Sequence, residues 1–142
     1  MEQEQQINGL LKQFKLRRTP TRSKILSLYL HKKYALAHRD IETTLSEEFD
    51  RVTIYRTLHT FEEKGLIHKV YDGSAAVKYA LCGIECHKQE PHSHNHVHFT
   101  CYKCERTFCI ENTNVPAIQL PGNYKTEAIH LFAKGICENC NT

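Results

Sequence analysis

Apolar residues recur at Ile7, Leu10, Leu11 and Phe14, the i, i+3, i+4, i+7 spacing that puts four side chains on one face of a helix. This pattern predicts a first helix ending near Lys15. Thr19-Pro20 then supplies a capping hydroxyl and a proline fit for the first helical turn, opening a second helix through Ile25, Leu26, Tyr29 and Leu30. A third, shorter helix is predicted over 39–46, with Ile41 and Leu45 inward. Asp50 caps a fourth over 51–64, whose buried stripe is Ile54, Leu58 and Phe61 and whose stop is Gly65. Beyond Gly65 the period changes from helical to alternating. Residues 66–71 and 77–81, separated by Asp72-Gly73, predict two strands of a hairpin. Helices followed at once by a hairpin make a winged helix-turn-helix, whose fourth helix would enter a major groove.

The back of the chain has a different pattern. Residues 82–93 are polar and turn-rich, and 94–101 alternate strictly, with His94, His96 and His98 on one face and Val97, Phe99 and Cys101 on the other. Further strands are predicted at 107–110 and 126–133. About 55 residues bury little core, so a unit this small usually needs a metal or a partner subunit. The fold class is therefore α+β: an N-terminal winged helix-turn-helix domain over 1–82 and a small C-terminal α/β domain over 83–142, expected to be completed by metal binding and dimerisation.

Composition sharpens this division. Residues 1–80 carry 14 Lys+Arg against 10 Asp+Glu, and residues 81–142 carry 5 against 6, so the basic half is the one suited to a polyanion. Arg51, Thr53, Tyr55 and Arg56 in the first turns of the fourth helix alternate with its buried stripe and are the candidate DNA-reading residues. Arg22, with Arg17, Arg18 and Lys24, is a candidate phosphate contact. No apolar run spans a membrane and the N-terminus is too polar for a signal peptide, which predicts a cytoplasmic protein. In that reducing compartment seven cysteines point to metal ligation rather than disulfides.

Cys101-x-x-Cys104 and Cys137-x-x-Cys140 are two knuckles that together offer a tetrahedral thiolate cage for structural zinc. The 32 intervening residues are a long loop. Doubling a loop costs only about 0.6 kcal/mol, against about 10–16 kcal/mol from a structural zinc. A redox dithiol would need only one pair. A second cluster places His87, His92, His94, His96 and His98 within twelve residues, just after Cys82 and Cys86. His96 and His98 are read as ligands. Cys86, His87 and His94 are candidates for an additional site, while a solvated loop accounts equally for His87 and His92. A zinc-dependent enzyme would need an open metal position and a general base, and the chain has neither H-E-x-x-H nor H-x-E with P-C-x-x-C. A zinc-buffering protein would leave the basic helix-turn-helix unexplained. No small-molecule substrate is expected.

Taken in order, Thr19-Pro20-Thr21-Arg22, then Thr53-Ile54-Tyr55-Arg56-Thr57-Leu58 leading to Gly65-Leu66-Ile67, then His96-Val97-His98-Phe99-Thr100-Cys101-x-x-Cys104 and the terminal C-x-x-C resemble the ferric uptake regulator family across nearly the whole chain. The resemblance implies a homodimer that binds a palindromic double-stranded operator when its sensing site holds metal, usually repressing, with Tyr55 and Arg56 touching DNA. Iron- and peroxide-sensing members place ligands where this chain has Ala35 and Ala80, and peroxide sensors want an Asp where it has Cys109. The zinc uptake regulator branch is more similar. It implies a regulatory site of His68, Cys82, His96 and His98, one thiolate and three imidazoles, selecting zinc ahead of another divalent metal such as iron. An iron- or peroxide-sensing member is the alternative. The stretch 112–123 is too short for the long dimerisation helix common in the family, so the expected interface rests on strands.

Overall fold

The computed structural model describes residues 1–70, 76–81, 97–110, 118–126 and 131–142. Its elements run α1 (Glu2–Gln13), α2 (Pro20–Lys32), β1 (Leu36–Ala37), α3 (His38–Leu45), α4 (Arg51–Lys64), β2 (Ile67–Val70), β3 (Lys78–Leu81), β4 (Val97–Cys101), β5 (Thr107–Ile110) and β6 (Leu131–Gly135). The architecture is α+β, with the helices in the first half and two separate three-stranded sheets ordered β1-β3-β2 and β5-β4-β6. None of the described helices is long and apolar enough to cross a membrane.

Local chemistry accounts for the helix ends. Thr19 accepts from the Arg22 amide, with Pro20 in the first helical position of α2, and Asp50 accepts from the Thr53 amide at 2.8 Å to open α4. Hydrogen bonds from Thr53 hold the Asp50 carboxyl below the usual carboxylate range. Gly65, at φ 81°, closes α4 in the left-handed region where a side chain would be strained. α2 ends on Lys33, also left-handed at φ 61°, and the chain passes directly into Tyr34 and Ala35.

The apolar stripes converge. Ile7, Leu10 and Leu11 of α1, Ile25 and Leu26 of α2, Ile41 and Leu45 of α3 and Ile54, Leu58 and Phe61 of α4 form one buried cluster closed by Leu36, Leu66 and Ile67. The first half thus owns a core that needs no metal. β2 and β3 pair antiparallel as the expected hairpin, with His68 opposite Ala80. β1 was not foreseen: two residues carry no periodicity, and Leu36 and Ala37 become a strand only because their backbone pairs with Tyr79 and Lys78.

The second sheet follows the prediction except at its end. β4 pairs antiparallel with β5 and parallel with β6, register Val97↔Leu131 through Cys101↔Gly135. Of the last strand, expected at 126–133, the described residues show Leu131–Gly135, two residues further than expected at its end; 127–130 lie outside the described residues, and Thr126 is exposed and not in a strand. The parallel partner accounts for this extension, since β6 stays beside β4 until Cys101, where the first knuckle begins.

Short contacts join the halves. The Ala35 amide donates to Thr107 O at 2.7 Å, Tyr34 meets Phe108 edge-on at 6.1 Å, the Arg106 guanidinium lies 4.5 Å over the Tyr34 ring, and Lys78 Nζ donates to Glu105 O at 3.4 Å. The segment after α2 therefore seats on the start of β5. Replacing Phe61, which is fully buried, with Ala should lower unfolding free energy by about 3–5 kcal/mol, a large share of the roughly 5–15 kcal/mol typical of a domain. Urea unfolding followed by circular dichroism measures it.

Candidate metal centres and nucleic-acid face

The Sγ atoms of Cys101, Cys104, Cys137 and Cys140 lie within 4.8 Å of one another, so all four cysteines of the predicted cage come together. Cys101 ends β4 and Cys137 follows β6 by two residues, so the parallel pairing of these strands delivers one knuckle beside the other. In the first knuckle the Glu105 amide donates to Cys101 O at 2.9 Å and the Cys104 amide reaches Cys101 Sγ at 3.5 Å, the backbone turning beneath the sulfur. In the second, the amides of Cys140 and Asn141 both donate to Cys137 O. Sulfurs about 2.3 Å from one tetrahedral ion stand about 3.8 Å apart. The Cys104–Cys137 sulfur separation is 3.8 Å.

Electrostatics inside the cage also favour a cation. Burial works against the Cys101 thiolate, but amides of Cys104, Cys137 and Lys103 draw its pKa down to about 6. Cys140, hydrogen-bonded to Cys137 and desolvated, is pushed up to about 12. Four thiols this close do not all ionise until a positive ion offsets their mutual repulsion. The donor set suits zinc and leaves no open coordination position.

The second centre lies between the two sheets. His68 comes from β2, His98 from β4 and Cys109 from β5, and their donor atoms are mutually within 4.8 Å. Both histidines are buried and Cys109 is half-buried. The two Nε2 atoms face each other at 3.3 Å, with the rings stacked at an interplanar angle of 21°. That separation exceeds the roughly 2.7–3.2 Å of an ordinary N–H hydrogen bond. It matches the edge of about 3.3–3.4 Å between two nitrogens bound about 2.0–2.1 Å from one tetrahedral ion. Around them Ala35, Val70 and Ala80 form an apolar cluster against which Cys109 packs.

Of the regulatory residues expected from sequence, His68 and His98 are thus brought together across 30 positions of chain. Cys82 and His96 lie outside the described residues, as do Cys86, His87 and His94 of the additional candidate site. Cys109 was not chosen as a ligand. Its signal was its place one strand away: the register sets it directly opposite His98, and neighbouring cross-strand side chains stand about 4.5–5.5 Å apart.

On the other side of the first half, α4 presents an exposed row. Arg51, Thr53, Tyr55 and Arg56 all face solvent, while Ile54, Thr57 and Leu58 are buried beneath them. Arg51 reaches Glu42 at 3.4 Å, an exposed pair whose small energy leaves the guanidinium available to a phosphate. Tyr55 stands edge-on to His38 at 5.2 Å, and His38 in turn touches Tyr79 of β3 at 5.7 Å, so this ring links the helix to the hairpin. His38 escaped the sequence reading because the contact joins three separate elements. Arg22 donates to Arg17 O at 2.6 Å, and Arg18 pairs with Glu4 and Asn8 of α1 at the exposed surface.

The ferric uptake regulator family model matches residues 13–131. The chain belongs to this family. Ferric uptake regulation proteins of Neisseria meningitidis serogroup A and Staphylococcus aureus are each 28% identical over 138 residues, covering 92% of this chain and 90% and 93% of theirs. Among solved structures, a zinc uptake regulator complexed with zinc and DNA aligns with TM-score 0.66 at 21% identity, covering 99% of this chain and 95% of that one. The Vibrio cholerae ferric uptake regulator aligns with TM-score 0.57 at 18% identity, covering 92% and 98%.

Cys101→Ser and Cys137→Ser should each abolish one tightly held zinc per chain and strip hydrogen-exchange protection from β4, β5 and β6, while the helical core keeps its own protection. Metal analysis together with exchange mass spectrometry reads both effects; retained zinc and unchanged protection would exclude the structural role.

Proposed function

We propose that this member of the ferric uptake regulator family is a zinc-sensing repressor of metal-homeostasis genes. It would act as a cytoplasmic homodimer on a palindromic operator, with 1–82 as its reading head and 83–142 as its dimerising unit. The observation that carries this reading is the approach of His68 and His98, which places donors from both sheets at one point. Cys82 and His96 complete the proposed regulatory set, and Cys101, Cys104, Cys137 and Cys140 hold the structural zinc. Two features favour zinc over iron. The positions where iron sensors carry a ligand His and a carboxylate are Ala35 and Ala80, which here line the apolar wall of the site. A donor set of imidazole and thiolate also suits zinc, whereas carboxylates suit harder ions.

The mechanism is a change of population. With the regulatory site empty, the reading head would be held to the second sheet without metal, through contacts such as those of Tyr34, Ala35 and Lys78, and would sample several angles. A divalent ion bound by β2 and β4 together favours one angle, and two heads in a dimer fit half-sites about one helical turn apart only when that angle is set. Tyr55 and Arg56 then meet the groove, with Arg51, Thr53 and Arg22 positioned for backbone phosphates. Dimerisation is supported by the outer strand of the second sheet: β6 lies at its edge, and Phe132 is 56% exposed.

Operator binding titrated against zinc, iron and manganese tests the function directly. Tyr55→Ala and Arg56→Ala should lose specific binding while keeping zinc content and dimer mass. His98→Ala and Cys82→Ala should remain folded dimers with a filled cage but bind DNA only weakly and with steep salt dependence. If Cys82→Ala and His98→Ala respond to zinc like the parent, the zinc-sensing assignment fails; strongest stimulation by iron or manganese in the parent would also overturn it.

A further inference from the structure

We propose that Val52 reads the 5-methyl group of a thymine in the operator, fixing a preference for an A·T pair at one position of each half-site. This inference rests on the reading of α4 as the helix that enters the major groove. Val52 is the second residue of α4 and is 54% exposed, whereas Ile54, Leu58 and Phe61 of the same helix are buried. At roughly 3.6 residues per turn, that buried row points one way and Val52, with Arg56 four positions on, points the opposite way. Exposed Tyr55, three positions on, stands beside them. A helix lying in a groove turns this middle line toward the base edges and meets them with its N-terminal residues. Val52 occupies the first turn of that line.

Its neighbours are engaged with groups of the protein itself. Thr53 bonds the Asp50 carboxyl through both its amide and its side chain, at the end of the helix. Arg51 reaches Glu42 at 3.4 Å, and the Tyr55 ring stands edge-on to His38 at 5.2 Å. What remains is a bare branched apolar side chain framed by Arg51 and Arg56, cations that suit the phosphates of a duplex. An exposed first-turn position gains no stability from such a side chain. Valine forms helix less well than alanine, and more than half of its surface stays in water.

What an isopropyl group can recognise in a major groove is narrow. Of the base edges displayed there only that of thymine carries an apolar group, its methyl; the others offer donors and acceptors that valine has nothing to pair with. Set against cytosine, the same side chain would take water from an amino group and give no bond in return. The contact also sets depth. Because the isopropyl group is short, it reaches a methyl only when the first turn of α4 is seated close to the bases, which brings Tyr55 and Arg56 to the groove floor with it.

Deoxyuridine provides the test, because it removes the methyl group and leaves base pairing unchanged. The full-length, zinc-loaded dimer first selects duplexes from a random-sequence pool. The enriched duplex is then resynthesised with thymines replaced by uracil one at a time, and affinities are read by fluorescence anisotropy. We expect one thymine position in each half-site at which the parent loses about fourfold, the worth of one buried methyl-sized group, and at which V52A loses nothing. V52A should bind the thymine duplex more weakly than the parent, keep its zinc content and dimer mass, and unfold no earlier, alanine being the better helix former. A parent insensitive to uracil at every thymine, or a V52A protein that loses as much as the parent at each sensitive one, would overturn the proposal. Y55A and R56A separate the two levels of failure: if they lose the selected duplex while V52A keeps the parent's uracil profile, only the role of Val52 falls; if they too bind it like the parent, α4 is not the reading helix.

Discussion

The meeting of His68 and His98 is the constraint around which the two sheets are arranged. One imidazole belongs to a hairpin that follows the helical core and the other to a sheet built from the last third of the chain, yet their Nε2 atoms come within 3.3 Å. Two buried nitrogen-bearing rings are not brought face to face without a polar reason, since burial of such groups is costly unless they are bonded. The neighbouring contacts hold the same geometry: the Ala35 amide on Thr107 O, Arg106 over Tyr34, and the apolar packing of Cys109 against Ala35, Val70 and Ala80. The hairpin, the segment after α2 and the start of β5 form one seam.

The two candidate metal centres would serve opposite ends in this arrangement. The four sulfurs of the knuckles lie at one end of a single sheet, where β4 and β6 run parallel, and a cation there closes a unit too small to hold itself by apolar burial. Four thiolates saturate a tetrahedral ion, so such a site stabilises and does not react. The imidazole and thiol group spans two sheets, and what an ion would contribute there is relative orientation. A stable first half with its own core can be turned as a rigid body, which makes orientation a usable signal.

The exposed row on α4 shows the same economy of parts. Ile54, Thr57 and Leu58 anchor the helix while Thr53, Tyr55 and Arg56 stand clear, and Asp50 caps its first turn. Packing of His38 between Tyr55 and Tyr79 joins this row to the hairpin that also carries His68. The proposed reading residues and one candidate metal donor therefore share one packed assembly, through which a change in angle at the seam would reach Tyr55.

What the sequence by itself determined is whatever depends on neighbours a few positions apart. The four helices with their Thr19, Asp50 and Gly65 boundaries, the hairpin, the exposed face of α4 and the paired C-x-x-C knuckles all follow from periodicity, capping and short spacers, and each was legible before any coordinates. Tertiary structure decided what depends on register and on approach between distant segments. β1 exists only because β3 offers it partners, and β6 ends at Gly135 because its parallel neighbour ends at Cys101. Cys109 joins His68 and His98 only once the β4–β5 pairing sets it opposite His98. A one-residue slip in that pairing would turn its side chain to the other face, and the register is settled only when one face of the folded sheet is buried and its turn closed.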